Sequence, residues 1–221
     1  MTAPAPIERY RRHFRATWPD TAPIDTVRFV VLDLETTGLN PATDAIVTIG
    51  AVGVLGGDIL LEDSFSALLK VGQNTSAVTV HGVTRDQSLK GLDEIVALER
   101  FLEYLKDGVI VGHHIGHDIT ALGAACDRHW GAALLNRSLD TMDLTLHLER
   151  DGAFAGYPAI RRFTLDALSE MFGVVPHDRH TAAGDAFITA QVFLRLVRLA
   201  SRFGRGTLGP ISEPFVVEPV A

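Results

Sequence analysis

A single cysteine, Cys126, stands in a chain of 221 residues. It excludes an internal disulfide and any Cys-rich zinc site, and it fits a reducing compartment. Also missing is an apolar run of the roughly 18 residues that a membrane span needs. The N-terminal stretch MTAPAPIERYRRHFRATWPD has no apolar segment of the kind that directs secretion, so a soluble, cytoplasmic protein with no membrane partner is expected. Positive charge is scarce too: 20 Lys and Arg stand against 27 Asp and Glu, a formal net charge of −7. That balance argues against a broad basic face that grips nucleic acid by neutralising phosphates. It leaves room for a small footprint or a metal-assisted site. What the chain does have is apolar residues, 47% of the total against 21% charged. A chain of this length buries one sizeable core, so one globular unit is expected.

Residues 1–26 are polar, carry Arg9, Arg11, Arg12 and Arg15, and end in the Pro-containing linker PDTAPID. They read as a short docking helix or, alternatively, as a basic arm for nucleic acid or a partner. Residues 27–201 form the main domain. RFVVLDLE (28–35) reads as a buried central strand, ended by the turn formers of TTGLNPATD. AIVTIGAVGVL and DILLEDSFSALLK, split by Gly56-Gly57, read as a hairpin. A helical stripe follows at Leu92, Ile95, Val96, Leu98, Phe101, Leu102 and Leu105, then a short strand in GVIVG. Further helices are expected from Asp118 to Trp130, in TLDALSEMFG up to Gly173 and over 182–200, with a short strand inside SLDTMDL. A meander followed by alternating strands and helices predicts an α/β fold with a mixed sheet covered by helices. The tail 202–221 is rich in Gly and Pro and reads as loosely packed or extended.

Asp33 and Glu35 close the first strand two residues apart, and the period of two puts both on one face. Two such carboxylates repel unless a cation neutralises them. Asp118 falls in the first turn of a helix, where an aspartate also serves as an ordinary cap. Asp185 lies near the start of the last helix, five residues after His180. A rise of about 1.5 Å per residue separates the two by roughly 7 to 8 Å, close enough for the histidine to reach over a metal held by the aspartate.

Taken together, these residues resemble the DEDDh (DnaQ-like) family of 3′-to-5′ exonucleases, which includes the proofreading subunits of bacterial replicative polymerases. The three family motifs read VVLDLETTGLNP, VGHHIGHDI and HTAAGDA, and VHGVT (80–84) and LDT (139–141) look like recurring family segments. The resemblance spans about residues 28 to 200 and implies a ribonuclease-H-like fold, a five-stranded mixed sheet whose first three strands are antiparallel. It implies that Asp33, Glu35, Asp118 and Asp185 hold two divalent cations and that His180 is the general base. Oxygen ligands select hard ions, Mg²⁺ or Mn²⁺. A histidine's ordinary pKa of about 6.5 predicts activity rising from about pH 6 towards about pH 8.

By the same resemblance Thr36, Thr37, Gly38 and Leu39 touch the terminal nucleotide and His81 lies against its sugar or base. For Leu39 the alternative is ordinary core packing. The second motif departs from the family pattern: His114 replaces an Asn and His117 a Phe, and both become candidate substrate contacts. His113 holds a position that is usually structural. Thr48 stands where relatives often carry an acidic residue. The implied partner is a nucleic-acid 3′ end, single-stranded DNA favoured and RNA possible, with a polymerase or other replication or repair protein as a further partner; monomer and homodimer stay open. Three other readings compete: an exoribonuclease of the same family, a non-catalytic module binding a nucleic-acid end or a partner, and a zinc protein using His113, His114 and His117.

Overall fold

The run RFVVLDLET forms β1 (Phe29–Thr36), the middle strand of a five-stranded sheet in the order β3-β2-β1-β4-β5. The computed structural model describes residues 4–15, 18–40, 43–71 and 89–216. His81 and the VHGVT segment lie outside the described residues. β2 (Ile46–Leu55) and β3 (Asp58–Leu68) pair antiparallel through a tight turn in which Gly56 and Gly57 both take positive φ. β4 (Val109–Gly112) runs parallel to β1, and β5 (Ser138–Asp140) parallel to β4. The mixed sheet with an antiparallel start is the arrangement expected from the sequence.

Alternation along β1 sorts its side chains between two cores. Phe29 and Val31 pack on one face with Val52, Val54, Phe193 and Leu196; Val30, Leu32 and Leu34 pack on the other with Leu98, Phe101, Leu102 and Leu122. Phe29 meets Phe193 edge-on, ring centroids 5.0 Å apart. The second face is covered by α1 (Ala5–Arg12), α2 (Glu94–Leu105) and α3 (Gly116–Trp130). The first is covered by α4 (Thr141–Arg150), α5 (Leu165–Met171) and the long α6 (Ala182–Arg202). α1 buries Ile7 and Tyr10, and Arg9 pairs with Glu103 on α2 at 3.1 Å.

Three local readings change. Leu92, read as part of a helix, instead extends the sheet edge: its N–H donates to the Leu68 carbonyl and its own carbonyl accepts from the Lys70 N–H, both at 2.8 Å. α4 is unexpected, because its buried stripe mixes Leu144 and Leu148 with Thr141 and Thr145 and so shows little apolar periodicity. The tail is not loose throughout. α7 (Leu208–Ile211) buries both of its terminal residues, and the Leu208 and Gly209 N–H groups donate to the carbonyls of Ala22 and Asp20 at 3.0 and 2.9 Å. An i, i+3 apolar pair docks this turn onto the N-terminal linker, a signal hidden among Gly and Pro.

Candidate active site

Asp33 and Glu35 continue the row of Phe29 and Val31, so both project from the C-terminal end of β1 on the face that α6 covers. Directly across the antiparallel ladder from Asp33 is Gly50. A Cβ there would come within 2.3 Å of the Ala182–Ala183 backbone. Glycine therefore lets the first turn of α6 rest on the sheet, which brings Asp185 over β1. Carboxylate oxygens of Asp33, Glu35 and Asp185 then lie within 4.8 Å of one another. At an effective dielectric of about 20, ionised groups so close repel by roughly 3 to 4 kcal/mol per pair.

The cluster answers that repulsion by holding protons. Burial, then the nearby Asp118, Asp185 and Glu35 charges, push Asp33 up to about 9. Glu35 rises to about 7, from burial and then the charges of Asp185 and Asp118. Asp118 also rises to about 7, chiefly through burial. Its Oδ1 accepts the Leu34 N–H at 2.9 Å, which ties the first turn of α3 to β1. Asp118 thus flanks the triad of Asp33, Glu35 and Asp185 and does not share its tight set of oxygens. Partly or fully buried oxygen ligands that keep an excess of like charge are a donor set that fits a hard divalent cation.

One cation is built into the chain. Arg179 donates from Nη1 to Asp185 and from Nε to Asp166 Oδ1, the latter at 2.7 Å. The sequence does not single it out, since nothing in RHTAAGDA says which way an arginine beside the motif will turn. His180 sits before α6 and not on it, in a left-handed conformation with φ 64°, and its N–H donates to Asp185 Oδ2 at 3.2 Å. The helical spacing assumed for His180 and Asp185 is therefore replaced by a capped turn, in which Thr181 accepts the Gly184 N–H. His180 is exposed beside the carboxylates.

The three histidines of the second motif diverge. His113 Nδ1 lies 2.9 Å from Thr141 Oγ1, and burial followed by the neighbouring His114 holds its pKa down to about 4, so it is neutral near pH 7. His117 Nε2 reaches Thr36 Oγ1 at 3.3 Å. His114 is exposed with φ 59°, and its N–H donates to Asp140 Oδ1 at 3.0 Å. Among the described residues these rings form no common metal site. Asp140, the middle residue of the LDT segment, also accepts the Ile115 and Met142 N–H groups, so it sets the start of both α3 and α4.

The loop after β1 is closed by another unforeseen aspartate. Asp44 accepts the Thr37 hydroxyl at 3.1 Å and the Asn40 N–H at 2.7 Å, while Thr36 Oγ1 donates to the Gly38 carbonyl at 2.7 Å. Leu39 at its tip is 84% exposed, which removes core packing as its role. Thr48 lies across the ladder from Glu35, its hydroxyl buried without a hydrogen-bond partner among the described residues.

Residues 30–193 match the RNase T exonuclease family. The chain belongs to this exonuclease family. The chain is 33% identical over 191 residues to the PolC-type DNA polymerase III of Thermotoga maritima, covering 84% of its own length and 13% of that relative. It is 29% identical over 184 residues to the DNA polymerase III epsilon subunit of Aquifex aeolicus, covering 80% of itself and 85% of that subunit. The chain thus spans about an eighth of the PolC-type relatives and most of the epsilon subunit. Its fold is that of E. coli exonuclease I, solved with a dT13 oligonucleotide, with TM-score 0.68 and 18% identity over 81% of this chain and 43% of that one. Cell-death related nuclease 4 shares it as well, with TM-score 0.66 and 15% identity over 79% and 65% of the two chains. The fold is ribonuclease-H-like. No described helix is long and apolar enough to cross a membrane.

Proposed function

We propose that the chain is a 3′-to-5′ exonuclease that hydrolyses the last phosphodiester of a nucleic-acid strand, preferring a single-stranded or frayed DNA end, and releases a nucleoside 5′-monophosphate. The observation that carries this reading is the convergence of Asp33, Glu35 and Asp185, from a strand and a helix far apart in the chain, beside an exposed histidine. Asp33, Glu35, Asp118 and Asp185 would hold two divalent cations, Mg²⁺ or Mn²⁺, whose chemistry when bound is Lewis-acid polarisation of the phosphate and neutralisation of its charge.

His180 takes a proton from the attacking water as the water oxygen bonds to phosphorus. The bond from phosphorus to the 3′ oxygen of the preceding nucleotide breaks, and that oxygen leaves as a hydroxyl after protonation from solvent. A solvent-facing turn suits the histidine to this exchange, while its backbone N–H keeps it registered on Asp185. Thr36, Thr37 and Gly38 present the loop on which the terminal nucleotide rests, and Leu39 wedges beside the last base. Exposed apolar surface at that tip supports the assignment. His117 steadies the loop through Thr36. By its likeness to polymerase III subunits the chain works in the cytoplasm on the 3′ ends met in replication or repair, with a polymerase as partner.

The test is stepwise shortening of a 5′-labelled single strand in Mg²⁺, with mismatched duplex ends and an RNA oligomer alongside. General-base loss in His180→Ala lowers kcat by about 10² to 10⁴, and Asp33→Ala abolishes turnover. Equal activity in the wild type and both variants overturns the reading. Faster cleavage of the RNA oligomer moves the substrate to RNA.

A further inference from the structure

Beside His114 opens a cleft of about 470 Å³, within the roughly 300 to 1,000 Å³ usual for ligand sites. Met142 and Leu146 supply apolar walls, and His114, Arg161 and Arg162 supply its polar ones, against a single lining carboxylate, Glu149. Neither Arg161 nor Arg162 makes an ion pair or side-chain hydrogen bond with a described residue, and both are exposed. Most other arginines near the sheet are spent on structure: Arg28 on Asp63, Arg128 on Glu94, Arg205 on Asp151. Arg161 and Arg162 are thus two adjacent guanidiniums without a charged partner among the described residues, in a chain of net charge −7.

The cleft approaches the candidate active site through Phe163, whose backbone lies beside His113, a ring that also feels the Arg179 charge. Arg162 is four residues from Asp166, which Arg179 bridges to Asp185. His114 is four residues from Asp118 and is fixed by the Asp140 carboxylate. A second hollow, along the β1–β2 loop, is lined by Asp44, Glu94, Lys70 and Arg128, the last already paired with Glu94 at 2.9 Å. The first cleft carries an excess of positive charge, whereas in the second two cations are balanced by two carboxylates.

We infer that the cleft of His114, Arg161 and Arg162 takes the backbone phosphates of a single strand on the 5′ side of the scissile bond. It rests on the exonuclease reading and deepens it, by giving the strand a path behind its terminal nucleotide. Guanidiniums grip phosphate in a fork, while apolar walls accept sugar and base without selecting sequence. His114, where the chain departs from its family's second motif, becomes part of this path.

The experiment compares the full chain with Arg161→Ala/Arg162→Ala, with Arg161→Lys/Arg162→Lys, and with Arg198→Ala/Arg202→Ala. The last pair removes equal charge from the far end of α6, at least about 20 Å along the axis from Asp185. Binding of a fluorescent dT12 is followed by anisotropy in Ca²⁺ over a salt series, and hydrolysis of dT12 is compared in Mg²⁺ with that of the p-nitrophenyl ester of thymidine 5′-monophosphate, which has no upstream phosphates. Removing both cleft arginines raises the dT12 Kd about tenfold and lowers the salt slope by about 0.7 to 1.4, at about 0.7 for each phosphate released. The Lys pair keeps the slope, and the ratio of kcat/KM on dT12 to that on the ester falls with the Ala pair alone. An unchanged Kd and slope, an equal loss in the Arg198/Arg202 control, or no dT12 binding by wild type overturns the cleft assignment. A wild type that binds dT12 but releases no nucleotide overturns the exonuclease reading and leaves the cleft result to stand on its Kd.

Discussion

Removing one carboxylate should make the metal-free protein more stable, and Asp33 is where the effect is greatest. Its carboxyl stays protonated in the folded chain up to about pH 9, against an ordinary value of 3.8. Between those limits the folded state binds the extra proton, so this group's contribution to stability falls as pH rises, by about 1.4 kcal/mol per pH unit. The carboxamide of the Asp33→Asn variant mimics the protonated acid and carries no such slope. Glu35 is raised by Asp185 and Asp118 and not by Asp33, so its own slope is shared by both proteins. From about pH 5 to about pH 7 the wild type in EDTA should therefore lose about 3 kcal/mol relative to the variant, or roughly 6 to 12 °C in Tm at about 2 to 4 °C per kcal/mol. Urea unfolding at both pH values measures the difference. Saturating Mg²⁺ narrows the gap: at about 100 times Kd it adds about 2.7 kcal/mol to the wild type and much less to the variant, whose ligand set is incomplete. Parallel stability–pH curves, or a variant less stable than wild type at about pH 8 without metal, would refute the argument that unneutralised burial governs this cluster.

Other outcomes follow from single contacts. Gly50→Ala forces a Cβ into the first turn of α6; a stability loss of about 1 to 3 kcal/mol is expected, and because Asp185 moves with the helix, the Mg²⁺-induced rise in Tm should vanish even where the fold survives. Arg179→Gln frees Asp185 from its internal cation, so the Mg²⁺ midpoint of the thermal shift should fall several-fold; a midpoint unchanged or raised would show that the arginine does not compete with the ion. Leu208→Ala should cost about 2 to 5 kcal/mol by calorimetry, as for other fully buried leucines, whereas a loose tail would tolerate it.

The face shared by Asp33 and Glu35 is legible in the sequence because alternation is a property of the strand itself, and the hairpin and the long last helix follow from equally local signals: Gly56-Gly57 and an apolar stripe of period 3.6. α4 is hidden because buried threonines blur that stripe, and the tail misleads because its two apolar anchors, Leu208 and Ile211, are diluted by glycine and proline. VGHHIGHDIT shows at once that its aspartate opens a helix, yet the path of each histidine ring is not written there. His113 turns to Thr141 and His117 to Thr36, partners 28 and 81 residues away.

By itself, then, the sequence determined the strand and helix periods, the placing of four carboxylates and a histidine in family motifs, and the shortage of cysteine and of positive charge. Only the tertiary structure decided that Gly50 admits α6 to the sheet, that Asp118 binds the Leu34 N–H, that Arg179 neutralises Asp185, and that Arg161 and Arg162 line a cleft without a charged partner among the described residues. Periodicity arises from neighbours along the chain, which the sequence states outright. Close approach, charge pairing and the lack of it depend on which surfaces packing brings together from distant parts of the chain.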